Sequence, residues 1–278
     1  MVIEVLTQEQ REEVQRLERE MLAEFDRICK KHGIKYTLYG GTLLGAVRHN
    51  GFIPWDDDID VAVLRSDYEK LEEICTRELP SDLFYQTHGT DKEWFRMYAK
   101  IRMNGTVFKE LAHNGWDIHH GIYIDIFPMD VIPDDSKKKK VQDFKFKLWS
   151  LGLSAKYIDV RSRTGKKKFF AYILKCLYLP FSLEFLYGQA TKAASQYNKS
   201  EYKNVKNFFG AYGDREILPK AYFDDIQPMK FDDYEFDGVS AYHDVLCRFY
   251  GDYMQLPPVE KRVSRHAIAE LKFKERLK

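Results

Sequence analysis

Asp56, Asp58 and Asp60 alternate along Asp56-Asp57-Asp58-Ile59-Asp60, directly before the β-branched run Val61-Ala62-Val63-Leu64. Side chains of an extended chain point to opposite faces in turn. Extension over 58–64 therefore puts Asp58 and Asp60 on one side and Ile59 on the other, and Asp56 joins them if the extension starts early. Ionised carboxylates held this close raise one another's pKa unless a cation sits between them. A hard divalent ion removes the conflict. One or two Mg²⁺ suit oxygen ligands of this kind, because Mg²⁺ is commonly held by one or two carboxylates plus substrate phosphates; Mn²⁺ fits the same ligands. An isolated Asp-x-Asp is ordinarily a solvated acidic turn, but this one opens onto a run that reads as a buried strand.

The residues just upstream complement it. Tyr36 to Tyr39 reads as a short strand, and Gly40-Gly41-Thr42 then turns the chain into the apolar helix pattern Leu43-Leu44-Gly45-Ala46-Val47. Glycines let backbone N–H groups approach a ligand closely, and a helix N-terminus favours phosphate. Thr42 would cap this helix or hydrogen-bond a phosphate oxygen. One half thus holds an anion and the other half its cation, which points to metal-assisted phosphoryl transfer.

Residues 36–70 resemble the signature of the LicD family, through Gly-Gly-Thr-Leu-Leu-Gly-Ala-Val-Arg-His, Gly-Phe-Ile-Pro-Trp-Asp-Asp-Asp-Ile-Asp and Asp67-Tyr68-Glu69. Tyr250-Gly251-Asp252-Tyr253-Met254-Gln255-Leu256-Pro257-Pro258 resembles the family's C-terminal signature. That family comprises phosphocholine transferases related to the fukutin proteins and to the wider nucleotidyltransferase fold. The resemblance implies an α/β (α+β) protein with a nucleotidyltransferase-like mixed sheet flanked by helices. It implies transfer of phosphocholine from CDP-choline to a sugar hydroxyl of a lipid-linked cell-surface glycan precursor, teichoic acid or lipopolysaccharide-like, with release of CMP. Asp58 and Asp60 would hold the metal with Asp56 as a lesser ligand, Gly41 and Thr42 would orient phosphate oxygens, and Arg48 would meet phosphate or substrate. Asp252 and Tyr253 would line the acceptor or nucleotide site. The same chemistry on CDP-ribitol or CDP-glycerol, or a catalytically silent binding protein of this fold, are the rival readings.

Two further stretches offer polar groups. In Phe95 to Val107, Tyr98, Lys100 and Arg102 share a strand face opposite Met97, Ala99, Ile101 and Met103; Lys100 and Arg102 either clamp a diphosphate or are surface charges of an edge strand. In Gly121-Ile122-Tyr123-Ile124-Asp125-Ile126-Phe127-Pro128, a lone carboxylate stands in an apolar strand that Pro128 is expected to end. A buried charge needs a partner. Asp125 is thus a third catalytic carboxylate, metal ligand or general base, or else a structural ion pair with an arginine. Asp130, beyond the proline, reads as a turn residue.

The elements that must position these residues follow from periodicity. Gln8 to His32 predicts an amphipathic helix with Val14, Leu17, Met21, Phe25 and Ile28 on its core face, ended by Gly33. Ser66 is expected to cap a second helix running through Leu79, and Leu83 to Thr87 reads as a strand. Residues 1–135 form the catalytic core in this reading, 136–206 a basic helical arm, and 207–278 a C-terminal part that completes the core and ends in a basic helix from Glu260. The arm has 17 Lys and Arg against 4 Asp and Glu, whereas residues 207–260 have 4 against 11. Lys166-Lys167-Lys168 precedes the apolar stretch Phe169 to Tyr187, which is too interrupted for a transmembrane helix. It suits either a peripheral membrane contact through 166–187 or packing over the core. Lys261, Arg262 and His266 face phosphate or lie on a basic surface.

The whole chain of 278 residues carries a net charge of +1, which argues against a nucleic-acid partner held by bulk charge. Its four cysteines are far apart and form no Cys-x-x-Cys, so buried thiols in a reducing compartment are expected, without the zinc-finger-like insert of fukutin-related proteins. Dense charge over residues 8–20 is unlike a signal peptide. The expected setting is cytoplasmic, peripheral at the inner membrane face if the arm touches lipid.

Overall fold

The computed structural model describes residues 6–160, 163–264 and 266–274. The predicted first helix forms as α1 (Gln8–His32), where a capping box satisfies the first turn: Thr7 Oγ1 accepts from Gln10 N–H and the Gln10 side chain accepts from Thr7 N–H. Gly33 ends it at φ 63°, a left-handed conformation that costs glycine nothing. The predicted stripe is buried against the sheet.

Next come β1 (Tyr36–Leu38), α2 (Gly40–His49), β2 (Asp60–Leu64), α3 (Arg65–Glu78), β3 (Leu83–Gln86), β4 (Ala99–Met103), β5 (Val107–Glu110) and β6 (Tyr123–Ile132). The main sheet runs β1-β2-β6-β4-β3, with β2 and β6 parallel and the other pairs antiparallel. This is the mixed sheet flanked by helices that the sequence predicts. β6 is the long central strand. Its first half pairs with β4 and its second half with β7 (Asn204–Lys206), which is followed by β8 (Ile217–Pro219).

That exchange of partners corrects two expectations. Pro128 does not end the strand: it lies between Ile126, the last partner of β4, and Asp130, the first partner of β7, where a missing N–H disrupts no ladder on that side. Asp130 is no turn residue. It is fully buried in β6, where Arg65 donates through Nε and Nη2 at 2.9 and 2.7 Å and Asn198 Nδ2 donates at 2.8 Å. Ser66 likewise lies inside α3 and does not cap it, since the helix starts at Arg65, which the Asp130 pair draws inward.

The arm folds as α4 (Ser136–Tyr157), α5 (Gly165–Tyr178) and α6 (Leu183–Ser195), the basic helical appendage expected, although residues 204–206 belong to the sheet. It has a small core of its own, built from Phe146, Leu153, Tyr178 and Leu186 together with Phe95 and Met97 from the segment before β4. Gly152 makes the crossing possible, because a Cβ there would stand 2.6 Å from the Tyr178 ring and 2.9 Å from Leu186. No single helix among the described residues is long and apolar enough to cross a membrane, and α5 and α6 meet at a bend of 92°.

The C-terminal part forms the hairpin β9 (Ile226–Phe231) and β10 (Tyr234–Val239), α7 (Tyr242–Tyr250) and β11 (Ile268–Lys272). The basic helix expected from Glu260 does not run through residues 268–272, which form β11 and pair antiparallel with β5.

Candidate active site

A cavity of about 870 Å³ opens where β2 and β6 begin, beside the N-terminus of α2. Gly41, Arg48, Asp56, Asp58, Asp60, Asp125, Asp252 and Tyr253, all candidates from the sequence, line it together. Asp60 and Asp125 are Cα partners in the parallel β2–β6 pair, so their side chains project on the same face. Asp57 is not in the cavity lining and is buried, accepting from Ser264 Oγ at 2.6 Å and pairing with His266 Nδ1 at 3.0 Å.

The start of α2 is shaped around these carboxylates. A Cβ on Gly40 would stand 3.0 Å from Asp60 Oδ2, and one on Gly41 would stand 2.7 Å from Asp56 Oδ2. Thr42, expected at a phosphate, is buried instead: its Oγ1 accepts from Asp60 N–H at 2.8 Å. It fixes the strand that carries Asp60. Arg48 sits on the cavity wall and donates through Nη1 to Tyr253 O at 2.7 Å, which ties α2 to the 251–258 segment. Tyr253 is itself buried, with its hydroxyl 2.9 Å from His243 Nδ1.

Neither Lys100 nor Arg102, the expected diphosphate clamp, lines the cavity. Lys100 is buried beneath it, with Nζ 2.6 Å from Asp125 Oδ1 and over the Tyr123 ring at 3.2 Å. Arg102 is buried two residues further along β4 and donates to Gln86 Oε1 at 2.7 Å and Gly121 O at 2.8 Å. Burial of the whole strand centre takes both cations away from solvent, so they pair locally. Asp125 thus has a lysine partner.

Burial, and then crowding of like charge, dominates the electrostatics. Burial, then the Asp58 and Asp125 charges, push Asp60 well above the usual carboxylate range. Burial and Asp58 do the same to Asp56. Glu18 of α1, buried and with no hydrogen-bond partner for Oε2, is pushed up by burial and then by Asp58. Lys100 against Asp125 answers part of this charge. His266 answers another part: burial opposes its charge, but the bond to Asp57 and the Asp58 charge hold it up to about 10. Its Nε2 lies 3.9 Å from Asp58 Oδ2, and Asp57, Asp58 and His266 can each bring one ligand atom within 4.8 Å of the others.

Sequence reasoning missed Asp57, Glu18 and the aromatic lining from Tyr39, Trp55, Phe127, Phe209 and Tyr212. Asp57 carried a signal in the alternation itself, which turns it away from Asp56 and Asp58. Lys261, Arg262 and His266 do reach the cavity, and Arg262 lies over the Trp55 ring at 5.6 Å.

The chain is 29% identical over 254 residues to the lipopolysaccharide cholinephosphotransferase LicD of Haemophilus influenzae, covering 87% of this chain and 90% of the relative. It is 45% identical over 54 residues to the ribitol 5-phosphate transferase FKRP of Homo sapiens and of Mus musculus, a match covering 19% of this chain and 11% of either relative. Residues 33–152, which hold α2, the aspartate run and β6, match the family described as LicD/FKTN/FKRP, nucleotidyltransferase domain. Residues 33–152 thus carry a nucleotidyltransferase domain of the LicD/FKTN/FKRP family, in a chain that is similar to LicD along most of its length.

Proposed function

We propose that this chain is a metal-dependent transferase that moves phosphocholine from CDP-choline to a sugar hydroxyl of a cell-surface glycan precursor, lipopolysaccharide-like or teichoic acid, and releases CMP. The observation that carries the reading is the convergence of Asp56, Asp58, Asp60 and Asp125 and the glycine-built start of α2 on one cavity that aromatic residues also line. Likeness to a lipopolysaccharide cholinephosphotransferase over most of both chains supports the head group.

Asp58 and Asp60, with Asp56 or Asp125, would hold one or two Mg²⁺. The donor set suits a hard cation. Burial and then mutual repulsion push Asp56 and Asp60 well above their ordinary pKa, and glycines stand where any side chain would displace them. When bound, such an ion supplies positive charge against the diphosphate and the departing CMP phosphate.

The protein's own groups do the rest. The N–H groups that open α2 at Gly41 would face phosphate oxygens, aided by the helix dipole. Asp125 would accept the proton of the attacking sugar hydroxyl or share in holding the metal, and Lys100 at 2.6 Å favours its ionised form. Tyr98, Phe127, Phe209 and Tyr250 line the cavity and would offer their rings to a trimethylammonium group, an interaction of about 0.5–2 kcal/mol. Tyr39 is anchored by its hydroxyl to Glu216 Oε2 at 2.7 Å, which keeps the aromatic wall fixed.

The second reading, transfer of ribitol or glycerol phosphate from the matching CDP-alcohol, is favoured by the likeness of 54 residues to FKRP. CMP release in the presence of Mg²⁺ decides between them, with CDP-choline, CDP-ribitol and CDP-glycerol offered singly and in competition. Turnover of CDP-choline, lost in Asp58→Ala, Asp60→Ala and Asp125→Ala, is the expected result. Reaction of another CDP-alcohol alone would remove the choline assignment and keep the metal site. Binding of a CDP-alcohol with no turnover and no response to Mg²⁺ would make the chain a binding protein.

A further inference from the structure

The arm presents an apolar surface that its own fold does not cover. Helix α5 is apolar on nearly all sides after Lys166-Lys167-Lys168, yet the protein buries only Ala171 and Tyr178 of it, spaced seven residues apart on one stripe. Phe169, Phe170, Tyr172 and Leu177 are all 60–63% exposed, and Ile173 is 43% exposed. A helix that is hydrophobic around its circumference is ordinarily surrounded by an apolar medium. Here the protein supplies only one side of that medium.

Helix α4 adds a second ridge. Val141, Phe144, Leu148 and Leu151 recur at intervals of three and four residues, so they align along one face, and all four are exposed. Its opposite face, with Gln142, Phe146 and Leu153, is buried against the arm's core. The two helices adjoin. Tyr178 Oη donates to Leu148 O at 2.8 Å and Lys156 Nζ donates to Leu179 O at 3.2 Å, which joins the end of α5 to the middle and end of α4. Exposed Lys137, Lys140, Lys145 and Lys147 edge the α4 ridge, and Lys166 to Lys168 stand at the start of α5.

We propose that the outward faces of α4 and α5 form one docking surface for the anionic interface of a lipid bilayer. Charge chooses the occupant. Lysine is depleted from the cores of protein–protein interfaces, whereas apolar and aromatic side chains flanked by basic ones suit the headgroup–acyl boundary of an anionic leaflet. The acidic C-terminal part lies outside this surface: the arm is +13 over residues 136–206, against −7 over residues 207–260. Among the described residues no single helix is long and apolar enough to cross a bilayer, so the surface is proposed as an interfacial one. The docking surface does not depend on which head group the active site transfers.

The test is flotation of the full chain with vesicles of phosphatidylcholine alone and of phosphatidylcholine mixed with phosphatidylglycerol. The wild type is expected to float with the mixed vesicles. The variant F144S/F170S/L177S is expected to lose partitioning by about tenfold or more, and K166E/K167E/K168E to lose it in a salt-dependent way. All of these positions are exposed, and the thermal midpoint checks that each variant folds. A second measurement leaves the apolar surface intact. Cys176, exposed on α5, takes a polarity-sensitive dye in a Cys247→Ser background, and its emission should shift to the blue when mixed vesicles are added. Failure of the wild type to float overturns the proposal, as does flotation that the apolar variant retains in full or that leaves the dye unshifted. A dimer that these substitutions dissociate, without vesicle binding, assigns the surface to a second copy and overturns it too.

Discussion

Asp60 and Asp125 face each other as register partners on parallel strands β2 and β6, and both are pushed above the carboxylate range, by burial first. Two carboxylates fixed side by side by backbone hydrogen bonds cannot move apart, so their repulsion is built into the folded state. Asp60→Asn should therefore raise the stability of the metal-free protein by about 1–2 kcal/mol while lowering kcat by about a thousandfold. Thermal scans with and without Mg²⁺ check this. Mg²⁺ should raise the midpoint of the wild type and leave that of Asp60→Asn nearly unmoved. An equal response in both would remove Asp60 from the metal site.

Lys100 beneath Asp125 has a different role from the clamp its position on β4 suggests. It is 1% exposed, and its charge is favoured by Asp125 at 2.6 Å, then by the Glu110 charge, and by the ring faces around it. Removing one member of a buried pair leaves the other uncompensated, at a cost of about 3–5 kcal/mol. Lys100→Met should be destabilised by that amount, and the double change with Asp125→Asn should recover most of it. Urea midpoints of the two single variants and the double variant give the coupling directly. Additive losses would contradict the pairing.

These residues show what the sequence contains and what it does not. The alternation of Asp56, Asp58 and Asp60 was readable because a strand's two faces are a local property, and α1 was readable because its stripe and its stop at Gly33 are local too. Partnerships across long separations were not. Asp57 meets His266 across 209 residues and Arg65 meets Asp130 across 65, and no spacing rule connects them. Lys100 and Arg102 alternate as an edge strand would, but β4 has β6 on one side and β3 on the other, and burial redirected both cations. Residues 268–272 read as part of a basic helix, and their long-range pairing with β5 makes them a strand.

His119 should give the protein an acid-sensitive stability. Its Nδ1 accepts from Gly121 N–H at 3.0 Å and its Nε2 donates to Asn104 Oδ1 at 2.9 Å, an arrangement that only the neutral ring can make. Burial, then the nearby Arg102 charge, lower its pKa to about 4 from 6.5. The unfolded chain takes up this proton at a higher pH than the folded one. The contribution is therefore complete above pH 6.5 and is lost as pH falls toward 4. Denaturation midpoints measured across that window should fall with decreasing pH in the wild type and fall less steeply in His119→Gln.

Gly41 and Gly45 both sit within α2, and the same change to alanine should separate activity from stability. Alanine favours a helix over glycine by about 1 kcal/mol, so both variants gain something in isolation. At Gly41 the new methyl would meet Asp56 Oδ2 at 2.7 Å, the far end of a side chain that can rotate away. Gly41→Ala should keep the wild-type midpoint within about 1 kcal/mol and lose activity by tenfold or more, because a displacement of about 1 Å in a catalytic group costs on the order of a hundredfold. At Gly45 the methyl would overlap the backbone oxygen of Gly51, on the turn that folds back after Asn50. Backbone held in that turn cannot give way as a carboxylate can, and overpacking costs about 1–3 kcal/mol. Gly45→Ala should therefore lower the unfolding midpoint. If its surviving folded fraction still turns over substrate at the wild-type rate while Gly41→Ala does not, the start of α2 serves the carboxylates and its middle serves the fold.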